Sequence, residues 1–256
     1  MWKNESKYVV EQAKEKAFVH FWVWPGPVNR SEPGDISPEA FRYVETYGAY
    51  FESILPLYVN AIAGNCVELE VRQYCYDRVR QYEIGDPLTG KRLMDQVLDH
   101  ARSNGIPANE VLEAIEDPLV QPKVACEAIF NMARTRTWIE GLAALTGLEW
   151  SILQVARFEN ELSQFRSIFD SRARETLVRG GIDNHVGRLL DGLDTRAVDA
   201  AWELVQKYTA SYAPLASQQR NIILAARDGA WAYRHYWDRI IVGSRLGIRP
   251  SQLLAG

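Results

Sequence analysis

Arginine dominates the groups in this sequence that could do chemistry, with 22 arginines against 7 lysines. A guanidinium is a planar fork of donors suited to fixed, bidentate contact with carboxylates. The chemistry to look for is therefore recognition of small anions, with proton transfer beside them. In the stretch 122–145, Arg136 falls on the apolar stripe between Met132 and Ile139. Glu140 follows at the i, i+4 spacing of an intrahelical pair, and Arg134 and Trp138 flank the two. The pair either fixes helix packing or forms the wall of an anion-binding pocket.

The last helical stretch reads ILAARDGAWAYRHYWDR. Asp228, Trp231, His235 and Asp238 share one face, and Arg227 and Arg234 share the neighbouring one. Gly229 lets something approach the backbone closely. A buried helix with this many ionisable groups lines a cavity or a polar network between helices. His235 beside Asp228 or Asp238 is either a general acid–base, because a carboxylate orients the ring and holds its proton, or a core histidine satisfied by its neighbour. A third stretch, 68–83, carries Glu70, Arg72, Asp77, Arg78, Arg80, Tyr82 and Glu83. Most of it reads as a solvated face. Arg78, Tyr82 and Glu83 lie near its C-terminal end, where a helix presents polar groups to a pocket.

Other chemistries lack their residues. The histidines are His20, His100, His185 and His235, far apart and in no ligand array. Di-iron bundles need carboxylates and histidines repeated at helical spacing on several helices, so no metal and no cofactor is expected. Cys66 lies at an expected helix start, where a thiol pKa falls, yet Gly64-Asn65-Cys66 also reads as a plain connection. There is no Gly-rich phosphate loop and no G-x-S-x-G elbow.

The elements that must position these groups are helices. The chain has 256 residues, 47% hydrophobic and 24% charged, with 17 glycines and 11 prolines, an ordinary globular composition. Ser37-Pro38-Glu39 is a helix start, and Val44, Tyr47, Gly48, Phe51, Leu55, Tyr58, Val59 and Ile62 keep helical spacing over 38–63. Helices follow over 68–83, from Asp86-Pro87 to about 103, and in a short piece after the Gly105-Ile106-Pro107 break. A long helix over 122–145 stops at Thr146-Gly147. Another runs over 149–169. Gly180-Gly181 is a turn, and 183–192 is short and irregular. The cleanest period is 195–212, and the last helix, 215–243, is apolar on most sides and so central. No strand pattern, repeat or linker appears, and residues 1–256 read as one all-α domain.

The net charge of −4 gives no reason to expect nucleic-acid binding. No apolar run reaches the roughly 18 residues of a membrane span, and MWKNESKYVVEQAKEK has no signal-peptide layout. Cys66, Cys75 and Cys126 are an odd number without metal-like spacing, which favours a reduced, cytoplasmic setting.

Several stretches together resemble the TenA/PqqC group of the heme-oxygenase-like fold. They are Ala17 to His20, then Ser37 to Val44 after a Gly/Pro-rich loop; Tyr47 to Leu57, which holds Tyr50 and Glu52; and Val120 to Trp138. Glu70 through Arg78 to Gly85 is similar to the pyrroloquinoline-quinone synthase branch in particular. Tyr233 to Asp238 looks like the closing motif of TenA thiaminases. The resemblance spans about residues 15–243 and implies a multi-helix bundle and a homodimer.

The departures decide what transfers. TenA thiaminases use a cysteine nucleophile with carboxylate partners, whereas the matching position here reads Leu145-Thr146-Gly147-Leu148, and Arg234 replaces the closing carboxylate. Thiamin-salvage chemistry is thereby disfavoured. The quinone synthase is a cofactor-free oxidase. Its histidine at the end of the second helix appears here as Tyr82 beside Glu83, and its Glu-x6-His pair as Gly147 and Gln154. Arg78, Arg157 and Arg179 fall where that branch keeps arginines.

Two readings follow. The first is a PqqC-like, cofactor-free oxidase or tailoring enzyme on a small carboxylated, aromatic metabolite. His235, Tyr82 and Glu83 would move protons. Arg78, Arg134, Arg136, Arg157, Arg179, Arg227, Asp228, Arg234, Tyr50 and Glu52 would line the site. The second is a non-catalytic member that binds a small molecule or a protein. A metal-dependent, di-iron-type oxidase is a lesser alternative.

Overall fold

The computed structural model describes residues 2–22, 38–85, 90–162 and 195–246, and every regular element among them is a helix. In chain order they are α1 (Trp2–Trp22), α2 (Pro38–Gly48), α3 (Tyr50–Asn65), α4 (Leu69–Glu83) and α5 (Leu93–Ser103). There follow α6 (Ala108–Glu116), α7 (Val120–Thr135), α8 (Trp138–Leu162), α9 (Thr195–Tyr212) and α10 (Ala216–Leu246). No helix among the described residues is long and apolar enough to cross a membrane.

The central position expected of the last helix is what its contacts show, since α10 packs against α8, α1, α7 and α2. Its buried residues Ile222, Ala225, Ala226, Ala230, Tyr233, Tyr236 and Ile240 keep helical spacing. The expected 195–212 helix is α9, which buries Val198, Ala201, Trp202, Leu204 and Val205. Helix α1 was no part of the helical expectation. Its buried stripe is thin, Val9, Val10, Ala13 and Ala17, set in a strongly polar segment, so burial there comes from its neighbours α10, α8 and α9. A second, smaller core of Ala49, Val97, Ala101, Ile106 and Val111 ties α5 and α6 to the start of α3.

Three expected boundaries are corrected. The 38–63 helix is broken at Ala49, between α2 and α3. There the Tyr236 hydroxyl of α10 enters the ladder, donating to the carbonyls of Gly48 (2.9 Å) and Tyr47 (3.1 Å) and accepting from the Phe51 N–H (3.3 Å). A side chain that inserts in this way is a recognised cause of a helix break. The helix expected from Asp86-Pro87 starts instead at Leu93, with Arg92 in extended conformation before it.

The third correction moves a break. The chain leaves α7 at Arg136, whose backbone is extended (φ −91°, ψ 174°), and α8 then runs unbroken from Trp138 through Thr146-Gly147. Thr137 caps α8: its hydroxyl accepts from the Glu140 N–H at 3.4 Å, in the T-x-x-E pattern of a capping box. Gly147 ends nothing. It lies where α8 crosses α10, and a Cβ there would come within 2.6 Å of the Ala226 carbonyl oxygen. The close approach expected at Gly229 is the other half of this crossing, since a Cβ on Gly229 would strike the backbone of Ala144. Residues 163–194, which include the expected end of the 149–169 helix, the Gly180-Gly181 turn and 183–192, lie outside the described residues.

Candidate functional site

The expected site residues separate into four places, and one of them is a buried polar centre between α4 and α8. On α4, Val71, Cys75, Arg78 and Tyr82 are buried, the i, i+4, i+7, i+11 stripe of a core-facing helix. Arginine therefore occupies a position that packing assigns to an apolar residue, and only 2% of it is exposed. On α8, Glu149 is 3% exposed within a run that buries almost every residue from Gly141 to Leu153. Helices α4 and α8 make few direct contacts, and both pack on α3. The long side chains of Arg78 and Glu149 span the interval.

The Arg78 Nη2 donates to Glu149 Oε1 and to the Tyr82 hydroxyl, and the Tyr82 hydroxyl lies 3.4 Å from the same carboxylate oxygen. The guanidinium carbon also lies 5.1 Å from the Tyr82 ring centroid. This is a closed triad of one cation, one carboxylate and one phenol. It leaves much unmet: Arg78 Nε and Nη1, Glu149 Oε2 and the buried hydroxyl of Tyr74 have no hydrogen-bond partner among the described residues. Each such buried group costs about 1–3 kcal/mol unless water or a ligand satisfies it.

Electrostatics fix the protonation pattern. Burial works against the Arg78 charge, but Glu149, Tyr82 and Tyr74 outweigh it and hold the guanidinium protonated. Burial pushes the Glu149 carboxyl above the ordinary carboxylate range, and the Arg78 charge and the Tyr82 hydrogen bond pull it back only in part. Burial likewise raises the Tyr82 and Tyr74 hydroxyls, which stay protonated. The Tyr58 hydroxyl of α3, bonded to the Gly141 carbonyl at 2.9 Å, senses both Glu149 and Arg136 and so lies between this centre and the next.

The second place is the junction of α7 and α8 with α10. Arg136 pairs with Asp228 at 3.1 Å, and Arg227 binds the other oxygen of the same carboxylate. This corrects the Arg136–Glu140 pairing, which required Arg136 to be inside a helix. The three side chains are 26–36% exposed, a half-buried network. Asp228 is thus committed to two arginines.

The third place is the contact of α3, α7 and α10. Glu52 is 2% exposed there and acts electrostatically on Cys126 and Tyr236. Tyr50 is half-buried beside Cys126 and Glu127. Burial holds the Cys126 thiol well above its ordinary value, so it stays a thiol. The fourth place is the outer side of α10. Here His235 stacks on Trp231, with centroids 5.1 Å apart and planes 6° from parallel, and accepts from Arg239 Nε at 3.2 Å. Trp231 is 41% exposed, whereas Tyr233 is fully buried.

Of the remaining expectations, Glu83 is exposed and outside the buried centre. Arg134 is exposed and lies over the Phe130 ring at 5.4 Å. Arg234 is half-buried on α10. Arg157 lies on α8 but its side chain, like that of Asp238, is outside the described residues, as is Arg179 altogether. Among the described residues no cluster of three histidine, cysteine, aspartate or glutamate side chains has the arrangement of a metal site.

Sequence reasoning missed Glu149 and Tyr74. The signal for Glu149 was present: one carboxylate inside an apolar helical run has no solvent to face. His100, also left aside, lies 3.2 Å from the buried carboxylate of Glu45. No protein-family model matches this chain, and no curated protein matches it.

Proposed function

We propose that this chain is a single-domain, heme-oxygenase-like helical protein of the TenA/PqqC kind that holds a small carboxylated, aromatic metabolite at the Arg78–Glu149 centre. The observation that carries this reading is the buried guanidinium of Arg78 whose Nε and Nη1 meet no partner among the described residues, beside a carboxylate oxygen and a phenol that meet none there either. A carboxylate ligand supplies the acceptors those donors lack. The catalytic form of the reading is an oxidation without a resident cofactor. The electron-rich ligand gives two electrons and two protons to dioxygen, which leaves as hydrogen peroxide. Tyr82 and Glu149 are the proton-handling groups at the centre, in place of His235 and Glu83. The three free, buried thiols fit a reducing, cytoplasmic setting, and a homodimer follows from the resemblance.

The second reading, a binding protein without turnover, is favoured by one observation: His235 and Glu83 lie away from the buried centre. One experiment addresses both. Benzoate and a series of hydroxylated aromatic acids are titrated calorimetrically into wild type and Arg78→Met, and oxygen uptake and peroxide are followed in the same mixtures under air. Binding lost in a helical Arg78→Met, with peroxide formed by wild type, supports the enzyme. Binding without peroxide selects the second reading, and no binding by wild type ends both.

A further inference from the structure

The Arg78–Glu149 centre is already charge-neutral, yet its unmet atoms call for more than a neutral filler. Two unmet nitrogens of Arg78 require acceptors, Tyr74 brings a hydroxyl, and Glu149 Oε2 is an acceptor with nothing to accept. A ligand carboxylate satisfies the nitrogens and the tyrosine. It also brings a second anion to a site that holds one cation, with Arg78 and Glu149 only 2% and 3% exposed. Two carboxylates that share one buried cation cannot both stay ionised at modest cost. The unmet Oε2 is where a proton resolves the conflict, because it turns an orphan acceptor into a donor toward the ligand.

Resting on the carboxylate-binding reading, we infer that the ligand replaces Glu149 as the counter-ion of Arg78 and that Glu149 takes up one proton as the ligand binds. The ligand class is then a monoanionic carboxylate, received by Arg78 Nε or Nη1, the Tyr74 hydroxyl and a protonated Glu149 Oε2. The balance is complete: one anion and one proton enter, and the net charge of the centre is unchanged.

The groups that face Glu149 permit this. From α4 they are Arg78, Tyr82 and Tyr74, and from α3 Tyr58. The phenols are protonated throughout the working range and Arg78 does not titrate. From the other helices packed on α8, Lys14 of α1 lies over the Trp150 ring at 4.4 Å. Arg227 and Asp228 of α10 are engaged with Arg136 or each other. Among the groups named, Glu149 is the one that can change state, and the burial that already raises its carboxyl favours the change.

The test is calorimetric titration of benzoate into the full chain at one pH in two buffers of different ionisation enthalpy, repeated from about pH 5 to pH 9. The expected result is proton uptake that climbs toward about one per site with pH, while affinity falls about tenfold per pH unit in the upper range. Benzoate is ionised throughout, so the proton comes from solvent to the protein. Glu149→Gln, whose amide mimics the protonated acid, is expected to bind benzoate with buffer-independent heat and a flat pH profile. If that variant does not fold, the two-buffer comparison on wild type decides alone. Wild-type binding without proton uptake overturns the exchange and leaves the carboxylate reading intact. Uptake that persists in Glu149→Gln, or loss of binding by a folded Glu149→Gln, also overturns it. Absence of benzoate binding by wild type at every pH overturns both.

Discussion

The Tyr236 hydroxyl lies 2.9 Å from the carbonyl oxygen of Gly48, inside the hydrogen-bond ladder that would otherwise join α2 to α3. The central helix thereby sets where α3 begins, and so where Tyr50 and Glu52 point. Tyr236→Phe removes the hydroxyl and leaves the ring packed on Phe51 at 5.7 Å. It should cost about 1–3 kcal/mol, because buried backbone groups at the break lose a partner. Urea denaturation with an unchanged slope checks this, and a loss below 0.5 kcal/mol, about the low end for one hydrogen bond, would show that the break does not depend on the hydroxyl.

Removing half of the Arg78–Glu149 pair should hurt more than removing all of it. Glu149→Gln leaves a buried guanidinium without its counter-ion, at a cost of about 3–5 kcal/mol. The double variant Arg78→Met, Glu149→Leu should recover most of that loss, since an apolar replacement of a buried pair is often neutral. A double variant less stable than Glu149→Gln would mean that the pair is a net stabiliser of the fold. Whatever its stability, the double variant should bind no aromatic carboxylate.

Two carboxylates give stability opposite dependences on pH. The Arg42 hydrogen bond, with Thr46 beside it, holds Glu110 below its ordinary value of 4.5. A carboxyl lowered on folding contributes stability that is complete above 4.5 and is lost as pH falls through the lower folded value. Because Arg42 is 51% exposed, solvent screens the pair and the contribution is small. The stability difference between wild type and Glu110→Gln should therefore be visible at about pH 6 and gone by about pH 2. Glu149, raised by burial, works the other way. Its share is present below 4.5 and is lost as pH rises through the raised value. A difference for Glu110→Gln that grows in acid would contradict the assigned sign.

Two glycines on helices should respond oppositely to a methyl group. At Gly64 in α3 nothing lies within 4 Å of a new Cβ, so Gly64→Ala should stabilise by about 0.5–1 kcal/mol through helix propensity. At Gly229 the new atom meets the backbone of Ala144, which has no flexible end to move aside. Gly229→Ala should cost about 3 kcal/mol, at the upper end of overpacking penalties. Thermal melts of the two variants side by side provide the check, and a neutral Gly229→Ala would mean that the α8–α10 spacing is soft.

The sequence carried the helices further than the site. Helix α9 and the central role of α10 were legible because their apolar periods are regular and a buried stripe leaves a period behind. The α7–α8 break was not read: Thr137-x-x-Glu140 carries its capping signal, but the apolar stripe runs straight across Arg136 and masks it. Gly147 was misread because a glycine at a helix crossing and a glycine that ends a helix are the same letter. Arg78 and Tyr82 could be singled out from their place on α4. Their partner Glu149 is 71 positions away from Arg78, and no local rule connects two residues that meet only in the tertiary fold. The Asp228 half of the His235 reading went astray for the converse reason: the helical wheel placed Asp228 on the same face, but Asp228 is drawn to Arg136, a residue on another element.

At the α8–α10 crossing the two main chains are the contact surface, with Gly147 under Ala226 and Gly229 under Ala144. Sliding one helix by a single residue shifts it 1.5 Å and turns it about 100°, which would carry a side chain into each of those places. The crossing therefore indexes one helix against the other as a pin does a dial. Glu149 lies two positions past one glycine and Asp228 one position before the other. The buried centre and the arginine network at the α7–α8 junction are in this way held at a constant separation, although no bond runs between them.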